Sequence, residues 1–194
     1  VVANKLPITT INELVAYAKA NPGKLSYASP GVGAPHHLAT ELFMDMTGTK
    51  MVMVPYKGAS GMLADLISGE VHVMFGALNS ALPLIQSGKI RAIGLAERQR
   101  LPLFKDVPTV KESLPGYEVN FWFGLLAPAG TPDAITNKLS EEMRVIVSMP
   151  DVRERLAGVG FDSNPTSAAE MRRIMATELE KWGKVVKAAG IKPQ

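Results

Sequence analysis

The chain has 194 residues, 46% hydrophobic and 20% charged, which excludes a disordered polymer and leaves length enough to bury a sizeable core. It has no cysteine, so disulfides, a thiol nucleophile and thiolate metal sites are excluded, and no apolar run approaches the ~20 residues that span a bilayer. A net charge of +3, with acids scattered among the bases, argues against nucleic acid, and the one basic cluster, Lys89 with Arg91 to Arg100, lacks interleaved aromatics.

Val1 opens the chain with neither an initiator methionine nor a signal-type segment, and processing or truncation is expected to have removed what preceded it. From Thr10 to Leu95, helical and strand patterns alternate with glycine at the junctions, as in βαβ units around a parallel sheet. Thr10-Ile11-Asn12-Glu13 is a capping box for a helix that runs to about Ala20 and stops at Asn21-Pro22-Gly23. A strand is expected over Leu25 to Ala28. The following helix carries Leu38, Leu42, Phe43 and Met46 on one face and ends at Gly48, before a strand over Met51 to Val54. Met62, Leu63, Leu66 and Ile67 form the inward stripe of the next helix, and Gly69 turns the chain into a strand over Val71 to Phe75. Ser87-Gly88-Lys89 repeats the Ser68-Gly69-Glu70 junction, closing a helix over Leu78 to Gln86 and opening a strand over Ile90 to Leu95.

After Glu97 the pattern changes, with Pro102, Pro108, Pro115 and Gly116 breaking the chain into short pieces, as at a crossing between domains. Glu118 to Ala127 reads as a hydrophobic strand containing Phe121, Trp122 and Phe123. Thr131-Pro132-Asp133 reads as a helix N-cap with proline at the first position. The last helix is capped by Ser167 with Glu170, buries Met171, Ile174, Met175, Leu179, Trp182, Val185 and Val186, and ends at Gly190.

The chemistry concentrates in Tyr27-Ala28-Ser29-Pro30-Gly31-Val32-Gly33-Ala34-Pro35-His36-His37-Leu38, a strand that ends in a glycine loop opening onto a helix. Pro35 suits the first helical position, and the first-turn amides around His36 and His37, with the helix dipole and the Ser29 hydroxyl, suit a carboxylate or phosphate. The same pattern also serves a plain strand-to-helix turn. A second helix start at Gly58, behind Lys57, offers another anion-binding terminus, and two such termini favour a ligand with more than one oxyanion group. Neither glycine loop completes a P-loop or dinucleotide fingerprint. His36 and His37 point about 100° apart on a helix and do not share a metal ion, so no metal and no cofactor is expected. One of the pair is expected to be an exposed first-turn residue, and His72 to be a satisfied strand histidine. No serine has a recognisable histidine and acid partner, and no catalytic residue is assigned.

The assembled motifs resemble one family, the solute receptors of tripartite tricarboxylate transporters, or Bug-type proteins. The resemblance rests on Lys24 to Tyr27, Ser29 to Leu38, Val54 to Gly58, Ser80 to Pro83, Gly88 to Ile93, Asp106 to Val110, Leu114 to Tyr117, Trp122 to Pro132 and Lys181-Trp182-Gly183. It covers essentially the entire chain, while an N-terminal portion of the family pattern is missing. The resemblance implies an α/β, periplasmic-binding-protein type II-like fold, with parallel-rich sheets and flanking helices in two lobes. Residues 1–97 would be the complete second lobe, and residues 98–194 the crossover and the C-terminal part of an incomplete first lobe. It further implies an extracytoplasmic receptor, in the periplasm, that captures a small organic carboxylate for the transporter's membrane subunits without catalysis. By matching position, Ser29, Gly31, Val32, Gly33 and His36 form the carboxylate loop, Tyr56, Lys57 and Gly58 begin the neighbouring helix turn, and Phe75 and Gly76 end a strand at the cleft. Some family members have an acidic residue where Gly76 stands, which there meets a ligand amino group; its absence points away from an amino-acid ligand. Two other readings compete: an enzyme acting on a carboxylated or phosphorylated metabolite, and a truncated remnant that binds nothing. A chain lacking sheet partners for its aromatic strand is also expected to self-associate.

Overall fold

The computed structural model describes residues 1–96, 99–119, 121–159, 161 and 163–192. The expected boundary at Glu97 and Arg98 lies outside the described residues, as does Asn120 within the expected aromatic strand. The chain divides into two compact units, one of Val1–Phe121 with Val185–Gln194, the other of Trp122–Lys184.

In the first unit the capping box forms as the sequence predicts. The Thr10 hydroxyl accepts the Glu13 N–H at 3.1 Å, and the Glu13 carboxylate accepts the Thr10 N–H at 3.2 Å, opening α1 (Ile11–Ala20). One mixed sheet organises the unit. Its edge is β3 (Val52–Pro55), parallel to β2 (Ser26–Ser29), whose Tyr27 bridges Val73 in parallel. Beyond Val73 lies β1 (Val2–Ala3), antiparallel both to that segment and to β4 (Ile90–Arg91). Two strands are shorter than expected: Val71 to Phe75 joins the sheet through a bridge at Val73, and Ile90 to Leu95 contributes β4 and a bridge from Leu95 to Thr109.

Helices α2 (Pro35–Thr47), α3 (Ala59–Ser68) and α4 (Leu78–Gln86) follow the parallel segments in turn. Gly69 and Gly88 close the last two with φ of 77° and 66°, the left-handed conformation that only glycine adopts cheaply, so the repeated Ser-Gly junction is a repeated turn. Ala28, Met62, Leu66, Val71, Met74 and Ile90 form one core cluster. The buried rings of Phe43 and Tyr117 form another with Phe75, Phe43 standing 5.2 Å from Phe75 and 6.1 Å from Tyr117 between ring centroids.

The buried stripe of α2 is rotated from expectation: Phe43 is buried, but its companions are His37, Ala39, Thr40 and Thr47 instead of Leu38, Leu42 and Met46. Burial of the two threonines is possible because their hydroxyls donate to the carbonyls one turn back, Thr40 to His36 at 2.8 Å and Thr47 to Phe43 at 2.6 Å. A short helix, α5 (Val110–Ser113), starts on a second capping box from Thr109 and Glu112. Arg100 grips the same Glu112 carboxylate at 2.6 Å, and this guanidinium, with the Thr109 N–H, holds the carboxyl down at about 2.

The second unit holds α6 (Asp133–Ser148), α7 (Pro150–Gly158) and most of α8 (Ala168–Ala188). Three expectations fail here. The described residues of Glu118 to Ala127 form no strand. The Thr131 hydroxyl donates to the Pro128 carbonyl at 2.9 Å and so caps no helix; Pro132 takes the N-cap position. The stripe of α8 is only partly covered: Met171, Ile174, Trp182 and Val186 are half-buried, Leu179 is 78% exposed, and only Val185 is buried. The Ser167 cap does form, its hydroxyl accepting the Glu170 N–H at 3.2 Å.

Candidate functional site

Parallel strands end together, so whatever follows them gathers along one edge of the sheet. Ser29 pairs with Pro55 at that edge, and the Tyr56 N–H donates to the Ser29 carbonyl at 2.9 Å, setting Tyr56, Lys57 and Gly58 beside the glycine loop. Gly76 lies at the end of the neighbouring segment, and a β-carbon there would stand 3.3 Å and 3.4 Å from two ring atoms of His36. The three segments assigned from the sequence are therefore adjacent in the fold.

The helices that start from this edge share a property. Those with N-caps at Ala34, Gly58 and Ala77, namely α2, α3 and α4, have no side-chain cap, whereas α1 and α5 carry full capping boxes. Pro35 sits at the first position of α2 as expected. Three sets of first-turn amides at the positive ends of helix dipoles are thus left without a side-chain acceptor along one edge of the sheet, a setting that favours an anion.

The loop between Ser29 and Pro35 is held by its own chemistry. Ser29 is fully buried; its hydroxyl donates to the Gly31 carbonyl at 3.0 Å and accepts the Gly31 N–H at 3.3 Å. Gly31 and Gly33 have φ of 144° and 77°, so any side chain at either position would be strained. Val32, between them, is exposed at the loop tip. Ser29 therefore shapes the loop in this structure, with its proton directed at the loop's own backbone.

His36 is half-buried, its ring edge-on to Phe121 at 5.9 Å, and its Nδ1 is buried without a hydrogen-bond partner among the described residues. Burial lowers its pKa and so favours the neutral ring. Neither member of the pair is exposed, against expectation: His36 is half-buried, and the His37 ring is buried between Tyr27 and Glu41. His72 is satisfied, accepting the Ser26 N–H at Nδ1 over 3.0 Å. The Tyr56 hydroxyl donates to Asp65 at 2.7 Å, and burial, with that carboxylate, pushes it up to about 12. Lys57 is exposed beside it. The Phe75 ring turns into the cluster of Phe43 and Tyr117, so its backbone lies at the edge while its side chain packs in the core.

Sequence reasoning missed two participants. Glu41 stands one helical turn after His37, a spacing legible in advance. Phe121 was read as part of a strand, and no sequence signal placed its ring against His36.

Parallel segments, each followed by a helix, with the glycine loop at their shared carboxyl edge, give an α/β fold of the periplasmic-binding-protein type. Its family is equally definite: residues 1–191 match the model of the tripartite tricarboxylate transporter family receptor, and the chain belongs to that family. A UPF0065 protein in the tcbD-tcbE intergenic region of Pseudomonas sp. strain P51 is 35% identical over 178 residues, which is 91% of this chain and 53% of that protein. Among solved structures, an R. palustris protein with adipate is 36% identical with a TM-score of 0.91, covering 100% of this chain and 65% of that one. The periplasmic binding protein BugD is 29% identical with a TM-score of 0.85, covering 100% and 66%. MatC from Rhodopseudomonas palustris, with bound malate, is 29% identical with a TM-score of 0.84, covering 95% and 65%. The chain spans about half the length of the curated relatives it matches.

Proposed function

We propose that this chain is part of a periplasmic receptor that captures a small organic carboxylate and presents it to the membrane subunits of a tripartite tricarboxylate-type transporter. The observation that carries the reading is that all three helices which follow the parallel segments, α2, α3 and α4, start bare along one carboxyl edge of the sheet; α6 and α7 also start without a side-chain cap, but follow no parallel segment. Ligand-bound neighbours, one with adipate and one with malate, support a dicarboxylate. Gly76, with no acidic side chain, supports a ligand without an amino group. In this reading Ser29, Gly31, Val32, Gly33 and His36 hold one carboxylate, Tyr56, Lys57 and Gly58 lie beside it, and the backbone of Phe75 and Gly76 closes the edge. Residues 1–97 make one lobe, and residues 98–194 cross over and contribute to the other. The binding is non-covalent and no bond is made or broken.

Amide chemical shifts followed by NMR during titration with adipate and with malate test the site at any affinity down to the millimolar range. Expected are changes confined to residues 31–37, 56–59 and 76–79. Changes centred elsewhere, or none with either dicarboxylate, would sink the proposal. Calorimetry of Ser29→Ala should show adipate binding weakened by ~1 to 2 kcal/mol, because the Gly31 amide and carbonyl lose the group that sets the loop. Unchanged affinity would remove Ser29 from the site.

A further inference from the structure

The glycine loop is pinned at two points, and the second is a titratable ring. Ser29 holds Gly31, while the Gly33 N–H donates to His37 Nδ1 at 3.0 Å. A ring nitrogen that accepts carries no proton, so the proton of the neutral imidazole sits on Nε2, which faces Glu41 Oε1 at 3.3 Å. The same carboxylate oxygen accepts the Tyr27 hydroxyl at 3.0 Å. Tyr27, on β2, lies parallel to the ring at 6.4 Å between centroids, and burial, with Glu41, raises its pKa and keeps the hydroxyl a donor. Glu41, on the same helix as His37, also lines a groove with Asp45 and Lys50. The chain of bonds therefore runs from the loop amide through the imidazole to a carboxylate fixed from the strand side.

The consequence is directional. A proton added at Nδ1 turns the acceptor into a donor that faces the Gly33 N–H, and the loop bond is lost while the pairing with Glu41 strengthens. Neutral His37 holds the loop, and cationic His37 releases it.

We propose that His37 is the positioning residue of the ligand loop: its neutral ring fixes Gly33, and with it the approach to the first-turn amides of α2, so that protonation of His37 weakens carboxylate binding. This inference rests on the receptor reading above. It differs from any role for His36, whose ring faces Gly76 and Phe121 instead of the loop backbone.

The test uses adipate as probe and compares the protein with H37A and H37N between about pH 8 and pH 6. At the upper pH, H37A should bind adipate about tenfold more weakly, the worth of one lost hydrogen bond. H37N, whose side-chain oxygen occupies the acceptor position of Nδ1, should recover most of that loss. On acidification the unsubstituted protein should lose affinity relative to H37N, and taking the ratio at each pH cancels the protonation of adipate itself. A ligand-free readout accompanies this: the Gly33 amide resonance should move in step with the His37 ring signals as pH falls, which holds even where H37A fails to fold. Equal pH profiles for H37N and the unsubstituted protein, or a Gly33 amide indifferent to His37 titration, would overturn the proposal. If Gly33 follows His37 but no protein binds adipate or malate, the latch stands and the receptor reading falls.

Discussion

The two units solve the problem of apolar surface differently. In the first, the largest buried side chains, Tyr27, Phe43 and Tyr117, are fully enclosed, the Tyr117 hydroxyl finding the Ala39 carbonyl at 3.0 Å. In the second, α6 and α7 have no buried residue at all. Yet α6 is amphipathic: Ile135, Leu139 and Ile146 recur at helical spacing, and all three are exposed. The loop before it exposes Phe123, Leu125 and Leu126 to 70% or more. An apolar stripe records that a helix is shaped to be covered; burial depends on the element that covers it. The first unit carries that cover within itself.

The largest expected effect tests this contrast directly. Phe43→Ala empties the centre of an aromatic cluster and should destabilise the chain by about 3–5 kcal/mol in urea unfolding. Leu179→Ala, at an open position, should stay within about 0.5 kcal/mol. A comparable loss at Leu179 would mean that the second unit is covered in solution.

Exposed apolar surface of this extent favours association with a second copy. Sedimentation of the chain should show oligomers, and charges introduced together at Leu125→Asp and Leu126→Asp should return it to monomer. A monomer before substitution would show that this surface is tolerated in water, and the contrast would then lose its consequence.

Much of the first unit was legible because its signals are local. The Thr10 capping box, the Gly69 and Gly88 turns and the Pro35 helix start each need only a few neighbouring residues, and each appears where the sequence places it. The glycine loop was legible for the same reason, and its juxtaposition with Tyr56 and Gly76 follows from the parallel strand order. What escaped was whatever depends on a distant partner. The aromatic stretch from Glu118 carries strand-forming residues but gains no ladder, the α8 stripe has the right spacing but little to bury it, and Phe75 is claimed by Phe43 and Tyr117. The expectation that one of His36 and His37 is exposed failed because the His37 ring takes the Gly33 N–H from a loop whose path the sequence does not state, and the His36 ring meets Phe121.

Helix caps give a finer comparison at smaller energies. Thr10→Ala removes the hydroxyl that accepts the Glu13 N–H and leaves the Thr10 N–H to hold the Glu13 carboxylate alone, which should cost about 1 kcal/mol, whereas Ser167→Ala removes a cap with no reciprocal bond behind it and should cost a few tenths, about 0.5 kcal/mol at most. Urea midpoints of the two variants measure this. A larger loss at Ser167 would show that the start of α8 is held more firmly than its single bond indicates.

The smallest effect concerns acid. All three histidines, His36, His37 and His72, belong to the first unit, so imidazole protonation can change the stability of that unit alone. Burial holds the His36 pKa below the ordinary value of 6.5, which means that the unfolded chain takes up this proton first. Between the two values the unfolded state binds more protons than the folded one, so stability rises with pH there. His36 therefore costs nothing above 6.5, and its contribution is lost progressively as pH falls through 6.5 towards the lowered folded value. His36→Phe fills the same space with a ring that cannot be protonated and keeps an aromatic face for Phe121. Urea unfolding across this range should give a flatter dependence of stability on pH for the variant than for the unsubstituted chain. Identical slopes would show that the ring accepts its proton in the folded state as readily as in water, and would remove the argument that a neutral His36 waits at the edge of the sheet.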